Sequence, residues 1–383
     1  MKFLHTADWQ IGKPFQSITD TSKREALRQK RLDTVRGLKS LIVKEKLDFV
    51  LVCGDLFDSA TPDQATVSGL CAAIGELEVP VYVIPGNHDH GGPGCIWEQA
   101  FFIQEQEQLA PNFHILLEAK SVVLEEAVLL PCPLLRRHES VDPTAWLRSE
   151  PEGLPQELPR IVLAHGSTQG FSSSGESDNE SGINRINIDQ LPTGSYDYVA
   201  LGDWHGMKQI TNNAWFCGTP EQDRFAKGEG NQPGNVLSVE ISDRDQTPSV
   251  EIFKTGQIGW HAPDAFQLNC ETDLDGLKAQ LDELLGGRAS SDLLKLSVGG
   301  ALSFNGIERF EQLMESLRAR LIRLELDQDI QVEPSEEELD ALSERQDPLI
   351  AQVAKELRDS IETDPLARDA LRELQLHTRK AEA

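Results

Sequence analysis

Five short segments of this chain place carboxylate, amide and imidazole side chains directly after apolar runs. The segments are Asp8-Trp9-Gln10, Gly54-Asp55-Leu56-Phe57-Asp58, Gly86-Asn87-His88-Asp89, Ala164-His165-Gly166 and Gly202-Asp203-Trp204-His205-Gly206. Side chains of these types bind divalent cations, and one carboxylate can bridge two ions that lie about 3.5–4 Å apart. The spacing therefore indicates a two-metal centre of the kind that hydrolyses phosphate esters, with Asp55 as the candidate bridging ligand.

Each of these segments follows a run of residues that is typical of a buried β-strand. The runs cover residues 2–6, 49–53, 81–84, 160–163 and 197–201. In open α/β sheets, ligands gather where the carboxyl ends of the strands meet the loops. We therefore expect the polar side chains of the five segments to converge at one site.

The elements around these strands predict the fold class. Residues 23–46 have the periodicity of a long amphipathic helix, with apolar residues at Leu27, Val35, Leu38, Leu41 and Ile42. Strands then alternate with helices to about residue 108, and residues 113–252 contain mostly short strands separated by turns. This pattern predicts an α/β protein in which two sheets form a sandwich that is flanked by helices.

The motifs resemble those of the calcineurin-like metallophosphoesterases. His5-Thr6-Ala7-Asp8, Gly54-Asp55-Leu56-Phe57-Asp58, Gly86-Asn87-His88-Asp89 and Gly218-Thr219-Pro220-Glu221 are similar to the motifs of the SbcD-type DNA repair exonucleases, including their bacterial YhaO-like branch. The resemblance covers the first two-thirds of the chain strongly and the remainder loosely. It implies the two-sheet metallophosphoesterase sandwich already indicated by the strand pattern.

The resemblance also implies a ligand set for each of two ions. Asp8, Gln10, Asp55 and His205 would hold the first ion, and Asp55, Asn87, His165 and Asp203 the second. The family usually has histidine at the positions of Gln10 and Asp203. A glutamine carbonyl oxygen and an aspartate carboxylate can both bind a hard cation, so the two exchanges leave a site on chemical grounds. They make it richer in oxygen, which favours Mn²⁺, with Mg²⁺ or iron as alternatives, over Zn²⁺.

The same resemblance assigns the catalytic side chains. His88 would protonate the leaving oxygen or stabilise charge on the phosphoryl group, and Asp58 would orient His88 as a carboxylate does in a triad. The nucleophile would be a hydroxide held by the metal ions, without a covalent intermediate. We expect Trp9 and Trp204 to pack against the loops rather than stack on bases, and His5 to pack within its strand. Arg224 and Lys227 could contact phosphate or lie in a solvated loop.

The chain changes character after Pro263, which predicts three domains. Residues 1–262 would form the nuclease domain, and 263–335 a small α+β unit where SbcD-type proteins carry a DNA-capping domain. Residues 336–383 would form a helical segment, in which two helices open with Asp347-Pro348 and Asp364-Pro365. These helices could pack on the protein's own core. In the family, helices of this kind dock on a coiled-coil SMC-like ATPase, which makes such an ATPase the predicted partner.

Net charge argues against simple DNA binding by the chain alone. The 383 residues include 63 acidic and 36 basic side chains, for a net charge of -27. Affinity for nucleic acid usually depends on basic patches, so a basic partner protein would be needed for tight binding. The six cysteines are scattered without a Cys-x-x-Cys pair, and neither a leader nor a membrane span is evident. Both features predict a cytoplasmic protein without membrane contact.

Together these features predict a manganese-dependent phosphodiesterase that acts on DNA in repair, as an exonuclease or single-strand endonuclease. One alternative is a phosphodiesterase or phosphatase for small molecules, because a metal centre fixes the reaction and not the leaving group. Another is an inactive scaffold whose altered ligands leave it binding an ATPase without cleavage. A homodimer is compatible with the resemblance.

Overall fold

A computed structural model describes residues 1–149, 151–168, 183–225, 231–286 and 291–382. The chain divides into two units, Met1–Ile258 and Gly259–Ala383. Each unit combines β-sheets with helices, which confirms the predicted fold class. The further division of the second unit near residue 335 stays a prediction. No helix among the described residues is long and apolar enough to cross a membrane.

The first unit is built from short strands and three longer helices. In chain order its elements are β1 (Lys2–Thr6), α1 (Thr21–Glu45), β2 (Phe49–Cys53), α2 (Gln64–Gly75), β3 (Val81–Ile84), α3 (Ala100–Leu109), β4 (Phe113–Ile115), β5 (Val122–Val123), β6 (Val128–Cys132), β7 (Arg160–His165), β8 (Tyr198–Gly202), β9 (Lys208–Gln209), β10 (Ala214–Phe216), β11 (Asn235–Glu240) and β12 (Ser249–Lys254). Single 3₁₀ turns cover Ile96–Glu98, Ala145–Leu147 and Ile188–Gln190.

These strands form two six-stranded sheets. The first has the order β12-β11-β1-β2-β3-β4 and the second β5-β6-β7-β8-β10-β9. The central strands of both sheets are parallel: β1 through β4 in the first, and β6, β7, β8 and β10 in the second. Parallel neighbours end at the same sheet edge, so the strands that precede the candidate ligands are oriented to bring them together.

Strand β2 illustrates how the sequence fixes this architecture. All five of its residues are buried, because its two faces meet different layers. Val50 and Val52 pack with residues of α1 and α2, whereas Phe49 and Leu51 pack with residues of the second sheet such as Ile161. A strand that is covered on both faces has a continuous apolar sequence instead of an alternating one.

Helix α1 follows its predicted bounds within two residues. The Asp20 carboxylate caps it by accepting a hydrogen bond from the Lys23 amide, and Lys46 ends it in the left-handed conformation. Its buried face contains Leu27, Val35, Leu38 and Ile42, and also two polar residues, Arg31 and Thr34. Arg31 belongs to the site described below, and Thr34 donates a hydrogen bond to Glu221 Oε2 at 2.7 Å.

The second unit is an α+β arrangement around parallel strands. Its elements are β13 (Gly259–His261), β14 (Phe266–Leu268), α4 (Glu271–Leu285), β15 (Asp292–Leu302), α5 (Phe304–Arg320), β16 (Arg323–Val332), α6 (Glu336–Ser343), α7 (Pro348–Asp359) and α8 (Ala367–Glu382). Strands β13 and β14 pair with opposite ends of β15, and β16 runs along its other side, all in parallel. Leucines of α4 and apolar residues of α5 cover this sheet.

The helix openings encoded by Asp-Pro pairs are only partly as predicted. Asp347 caps α7 by accepting from the Leu349 and Ile350 amides. Asp364 accepts from the Leu366 amide, but the regular turns of α8 begin at Ala367. Helix α6 was not predicted, although Ser335 and Glu338 form a capping box that the sequence contains. Its short length leaves too few apolar repeats for a periodicity argument.

Candidate metal centre

The candidate ligands lie at the carboxyl ends of parallel strands in both sheets. Asp8 follows β1, Asp55 follows β2, and Asn87 follows β3, while His165 ends β7 and Asp203 follows β8. Ligand atoms of Asp8, Asp55 and His165 all lie within 4.8 Å of one another, and all three residues are buried. The predicted convergence of these strand ends is therefore observed, and we call Asp8, Asp55, Asn87, His165 and Asp203 the inner group.

His165 occupies the middle of the inner group. Its Nδ1 lies 2.7 Å from the Cys53 carbonyl oxygen, which can only accept a hydrogen bond, so Nδ1 carries a proton. Its Nε2 faces the other members, 2.9 Å from Asn87 Oδ1, 3.6 Å from Asp55 Oδ1 and 4.0 Å from Asp203 Oδ1. A backbone carbonyl that fixes one ring nitrogen and aims the other is the usual support of a metal-binding histidine.

Three carboxylates surround one buried imidazole in the inner group, so a positive charge is stabilised there. Burial alone would lower the pKa of His165, but Asp55, Asp8 and Asp203 outweigh that effect and raise the pKa to about 9. Burial raises the pKa of Asp8 to about 6, against the opposing pull of His205 and His165. A divalent cation would be stabilised by the same carboxylates. The ligands, hard oxygens with one imidazole, suit Mn²⁺, Mg²⁺ or iron.

We predict that the chelated protein loses stability as the pH rises from 6.5 to 9. The pKa of His165 rises from 6.5 to about 9 on folding, so its contribution is complete below pH 6.5 and is lost as the pH passes through 9. The loss should be about 3 kcal/mol of unfolding free energy. Asp8 acts in the same direction at lower pH, because its folded pKa is about 6. Urea unfolding at several pH values measures the slope, and a His165→Asn protein with an equal slope would contradict the assignment.

The three aspartates of the inner group have positive backbone φ angles. Asp8, Asp55 and Asp203 have φ values of 54°, 55° and 101°, a region that non-glycine residues enter at a cost of about 1–3 kcal/mol each. Two neighbouring glycines provide the space. A Cβ at Gly54 would lie 2.2 Å from His165 Nδ1, and one at Gly86 would lie 2.2 Å from Asp55 Oδ1. The glycines that precede Asp55 and Asn87 are therefore required by close approach.

Asp89 holds two of the ligand loops together, a role that its sequence context does not predict. Its buried carboxylate accepts hydrogen bonds from the amides of Leu56 and Phe57 at 2.7 and 3.2 Å, and from Gly86 at 2.7 Å. Burial and the nearby Asp55 raise the pKa of Asp89 to about 7, against these backbone hydrogen bonds. The only signal in the sequence was its place beside His88.

Arg31 is a second supporting residue that was not predicted. It is 2% exposed, and its guanidinium donates to the carbonyl oxygens of Trp9 at 2.6 and 2.9 Å, Asp8 at 3.3 Å and Glu221 at 2.9 Å. It also donates to Thr219 Oγ1 at 3.2 Å. The Gly218-Thr219-Pro220-Glu221 motif thus connects α1 with the Asp8 loop. The one feature of the sequence that pointed to Arg31 is its position in the apolar stripe of α1, four residues after Leu27 and four before Val35.

Replacement of Arg31 by methionine should destabilise the protein by about 3 kcal/mol, because it leaves buried carbonyl oxygens without donors. Urea unfolding measures this change. Arg36→Met is the matched control on the same helix, because the Arg36 contacts with Asp33 and Glu76 are partly exposed and such pairs contribute about 0–1 kcal/mol. Equal losses in the two variants would contradict the role given to Arg31.

His88 and Asp58 lie at the open side of the inner group. His88 Nδ1 is 2.7 Å from the backbone carbonyl oxygen of Asp58, and its amide donates to Asp55 Oδ1 at 2.9 Å. The expected contact with the Asp58 carboxylate is replaced by this carbonyl contact, since the carboxylate lies 3.5 Å from Lys13 Nζ. Asp58 therefore orients His88 through its main chain. The His88 side chain is 29% exposed, so its Nε2 can reach a substrate.

Gln10 and His205 form a separate outer group with Lys13, Asp223 and Arg224. Gln10 Oε1 accepts a hydrogen bond from Lys13 Nζ at 2.5 Å, and Gln10 Nε2 lies 3.3 Å from His205 Nε2. His205 Nδ1 lies 2.9 Å from Asp223 Oδ1. The amide oxygen is the one atom of Gln10 that binds a hard cation, and it faces Lys13. The inner group thus fits a divalent ion, whereas the outer group does not fit a second one.

The remaining candidates have packing or peripheral positions. Trp9 is buried and donates from Nε1 to Thr6 Oγ1 at 2.9 Å, and Trp204 packs partly buried against apolar residues of the second sheet. His5 is fully buried between Tyr198 and Leu201, and burial lowers its pKa to about 3. Lys227 lies outside the described residues.

The part of the chain that carries the inner group is similar to known proteins. The family model described as calcineurin-like phosphoesterase matches residues 1–207. The chain is 26% identical over 147 residues to "Uncharacterized metallophosphoesterase YhaO" of Bacillus subtilis (strain 168), covering 33% of this chain and 36% of that protein.

Two proteins named as the D component of the nuclease SbcCD are also similar. The one from Staphylococcus epidermidis is 22% identical over 257 residues, covering 63% of this chain and 66% of that protein. The one from Bacillus subtilis (strain 168) is 31% identical over 94 residues, covering 24% and 22%. The chain thus spans less than two-thirds of the length of each of these three relatives.

Proposed function

Because the chain belongs to the calcineurin-like phosphoesterase family, we propose that it is a metal-dependent phosphodiesterase that cleaves DNA, as an exonuclease or single-strand endonuclease in repair. The observation that carries this proposal is the inner group, in which His165 Nε2 lies within 4.0 Å of Asn87, Asp55 and Asp203. A cation site beside a proton donor is suited to hydrolysis of a phosphodiester, and His88 lies directly beside the inner group.

Asp8, Asp55, Asn87, His165 and Asp203 would hold the ion, and we propose Mn²⁺, with Mg²⁺ or iron as alternatives. A bound divalent ion supplies charge that polarises the phosphate and lowers the pKa of water. The chain supplies orientation. The Cys53 carbonyl fixes His165, the Asp89 carboxylate fixes the loops of Asp55 and Asn87, and Arg31 fixes the loop of Asp8.

His88 would donate the proton to the leaving oxygen. Its Nδ1 lies 2.7 Å from the Asp58 carbonyl oxygen, so Nδ1 carries a proton whichever charge state the ring has. The proton available for transfer would then be on Nε2, which lies 4.0 Å from Asp55 Oδ2. Transfer of that proton from a charged ring to the departing oxygen would leave the ring neutral.

The choice of DNA rests on relatives whose printed names include nuclease. The net charge of -27 opposes unaided binding to a polyanion. We therefore propose that the chain works in the cytoplasm with a coiled-coil SMC-like ATPase that contributes basic surface. Residues 263–335 would serve as a DNA-capping domain, and the helices of 336–383 would dock on the ATPase.

The same charge favours a second candidate, hydrolysis of small phosphodiesters, because a small substrate needs no basic surface. A comparison of kcat/KM for labelled oligonucleotides and for bis(4-nitrophenyl) phosphate separates the two. A higher value for the oligonucleotide supports the nuclease. A higher value for the small diester supports the second candidate instead. Metal binding without turnover of either substrate would support the third interpretation, an inactive scaffold.

A further inference from the structure

We propose that Lys13 takes the place of a second metal ion, so that the protein binds one divalent ion per chain, in the inner group. The Lys13 ammonium would supply the positive charge that a second ion would otherwise bring to the outer group. This inference rests on the proposed phosphodiesterase function of the same site, and it changes the number of ions and the residues that stabilise the substrate phosphate.

Lys13 is held at a fixed position by three side-chain oxygens. Its Nζ lies 2.5 Å from Gln10 Oε1, 2.8 Å from Asp223 Oδ2 and 3.5 Å from Asp58 Oδ1. The Asp223 side chain is 1% exposed and that of Lys13 is 20% exposed. An ammonium ion has three hydrogen-bond donors; one is directed to Gln10 Oε1, and the two carboxylates form ion pairs with the same charge. A lysine held in this way is a built feature of the site and not a solvated surface charge.

Two of the four ligands expected for the first ion, Gln10 and His205, are already engaged by N–H groups. Gln10 directs its oxygen to Lys13 and its amide nitrogen towards His205 Nε2, at 3.3 Å. Arg224 Nη2 lies against the His205 ring, 3.1 Å from Nδ1 and 3.2 Å from Nε2. Because His205 Nδ1 lies 2.9 Å from the Asp223 carboxylate and carries a proton there, the lone pair on Nε2 is the acceptor for the Gln10 amide. A cation bound by Gln10 and His205 would have to displace Lys13 from the Gln10 oxygen and the Gln10 amide from His205.

This arrangement gives a physical reason for glutamine at position 10. A side-chain amide accepts from Lys13 with its oxygen and donates to His205 with its nitrogen at the same time. A histidine at this position could bind an ion through one ring nitrogen, but it would have no oxygen to accept a hydrogen bond from Lys13. Gln10 and Lys13 therefore belong together, and both replace what a histidine and a metal ion would do. The fixed ammonium would attract the substrate phosphate beside the inner ion.

The test is the stoichiometry of Mn²⁺ in the full chain, measured by equilibrium dialysis and by electron paramagnetic resonance. The wild-type protein should bind one Mn²⁺ per chain and give the spectrum of an isolated ion. Lys13→Arg should keep that stoichiometry, and the double variant Gln10→His with Lys13→Ala should bind two ions. Lys39→Ala is the matched control, because Lys39 lies on the surface of α1 paired with Glu78, and it should bind one.

Two results would overturn the inference. One is a wild-type protein that binds two ions or gives an exchange-coupled spectrum, which decides the question even if the double variant does not fold. The other is a folded double variant that still binds one ion. As a second readout, Lys13→Ala should lower kcat/KM about 10²-fold while Lys13→Arg retains most of it.

The proposed function fails separately from this inference. A protein that binds two ions and cleaves a phosphodiester contradicts only the role of Lys13. A protein that binds one ion and cleaves no phosphodiester contradicts only the proposed function.

Discussion

Asp55→Asn is expected to reduce phosphodiester cleavage at least about 10³-fold and to weaken metal binding. The Asp55 carboxylate lies 3.6 Å from His165 Nε2 and accepts the His88 amide hydrogen bond at 2.9 Å, so it contacts both the ion site and the proton donor. Asparagine has the same shape and can still accept from the His88 amide. The substitution therefore removes charge and one ligand oxygen while it leaves the loop in place.

Initial rates and Mn²⁺ content, measured on the same preparation, test this expectation. Asp33→Asn is the matched control, because Asp33 lies partly exposed on α1 in contact with Gln29 and Arg36, and it should retain wild-type rates. An Asp55→Asn protein with wild-type metal content and rate would show that the inner group is not the reaction centre.

His88→Ala is expected to lower kcat about 10²–10⁴-fold with unchanged metal content, which is the range for loss of a general acid. The His88 side chain is partly exposed and its Nδ1 lies 2.7 Å from the Asp58 carbonyl oxygen, and the role proposed for it is proton transfer and not ligation. The sharpest readout is the leaving group. A substrate with a good leaving group such as 4-nitrophenolate needs little protonation, so the variant should lose less activity on it than on DNA.

The control for this variant is His377→Ala, which alters an exposed histidine on α8. Equal losses on both leaving groups would contradict proton donation by His88 and leave charge stabilisation as its function. Loss of the metal together with activity would instead place His88 among the ligands.

The strand ends could be predicted from the sequence because their signal is local. Each buried parallel strand, such as β2 or β7, is a short apolar run, and a polar motif follows it directly. The parallel order of the strands then requires the motifs to converge. Periodicity likewise gave α1 within two residues of its bounds.

The supporting residues could not be predicted because their contacts join distant parts of the chain. Arg31 lies in a helix and meets carbonyl oxygens of Asp8 and Glu221, which are 23 and 190 residues away. Asp89 meets amides 32 and 33 residues away. No fixed spacing in the sequence marks such contacts. A single arginine in an apolar stripe looks the same in the sequence whether its side chain is exposed or buried.

Gln10 shows the limit of transferring a ligand set by position. Its chemistry allows metal binding, but the direction of its amide is decided by Lys13, three residues later, and by His205, on another strand end. The sequence contains both residues without indicating that they meet. The same limit applies to Asp58, whose carbonyl oxygen and not its carboxylate contacts His88.

The most direct test of the central claim is release of label from end-labelled DNA by the full chain in Mn²⁺, with a chelated sample and the Asp55→Asn protein in parallel. Cleavage that requires Mn²⁺ and is lost in Asp55→Asn is the predicted result, and it assigns a metal-dependent nuclease to the inner group. Cleavage that persists in chelator and in Asp55→Asn would contradict the account, as would a folded wild-type protein that binds Mn²⁺ and leaves every DNA end intact.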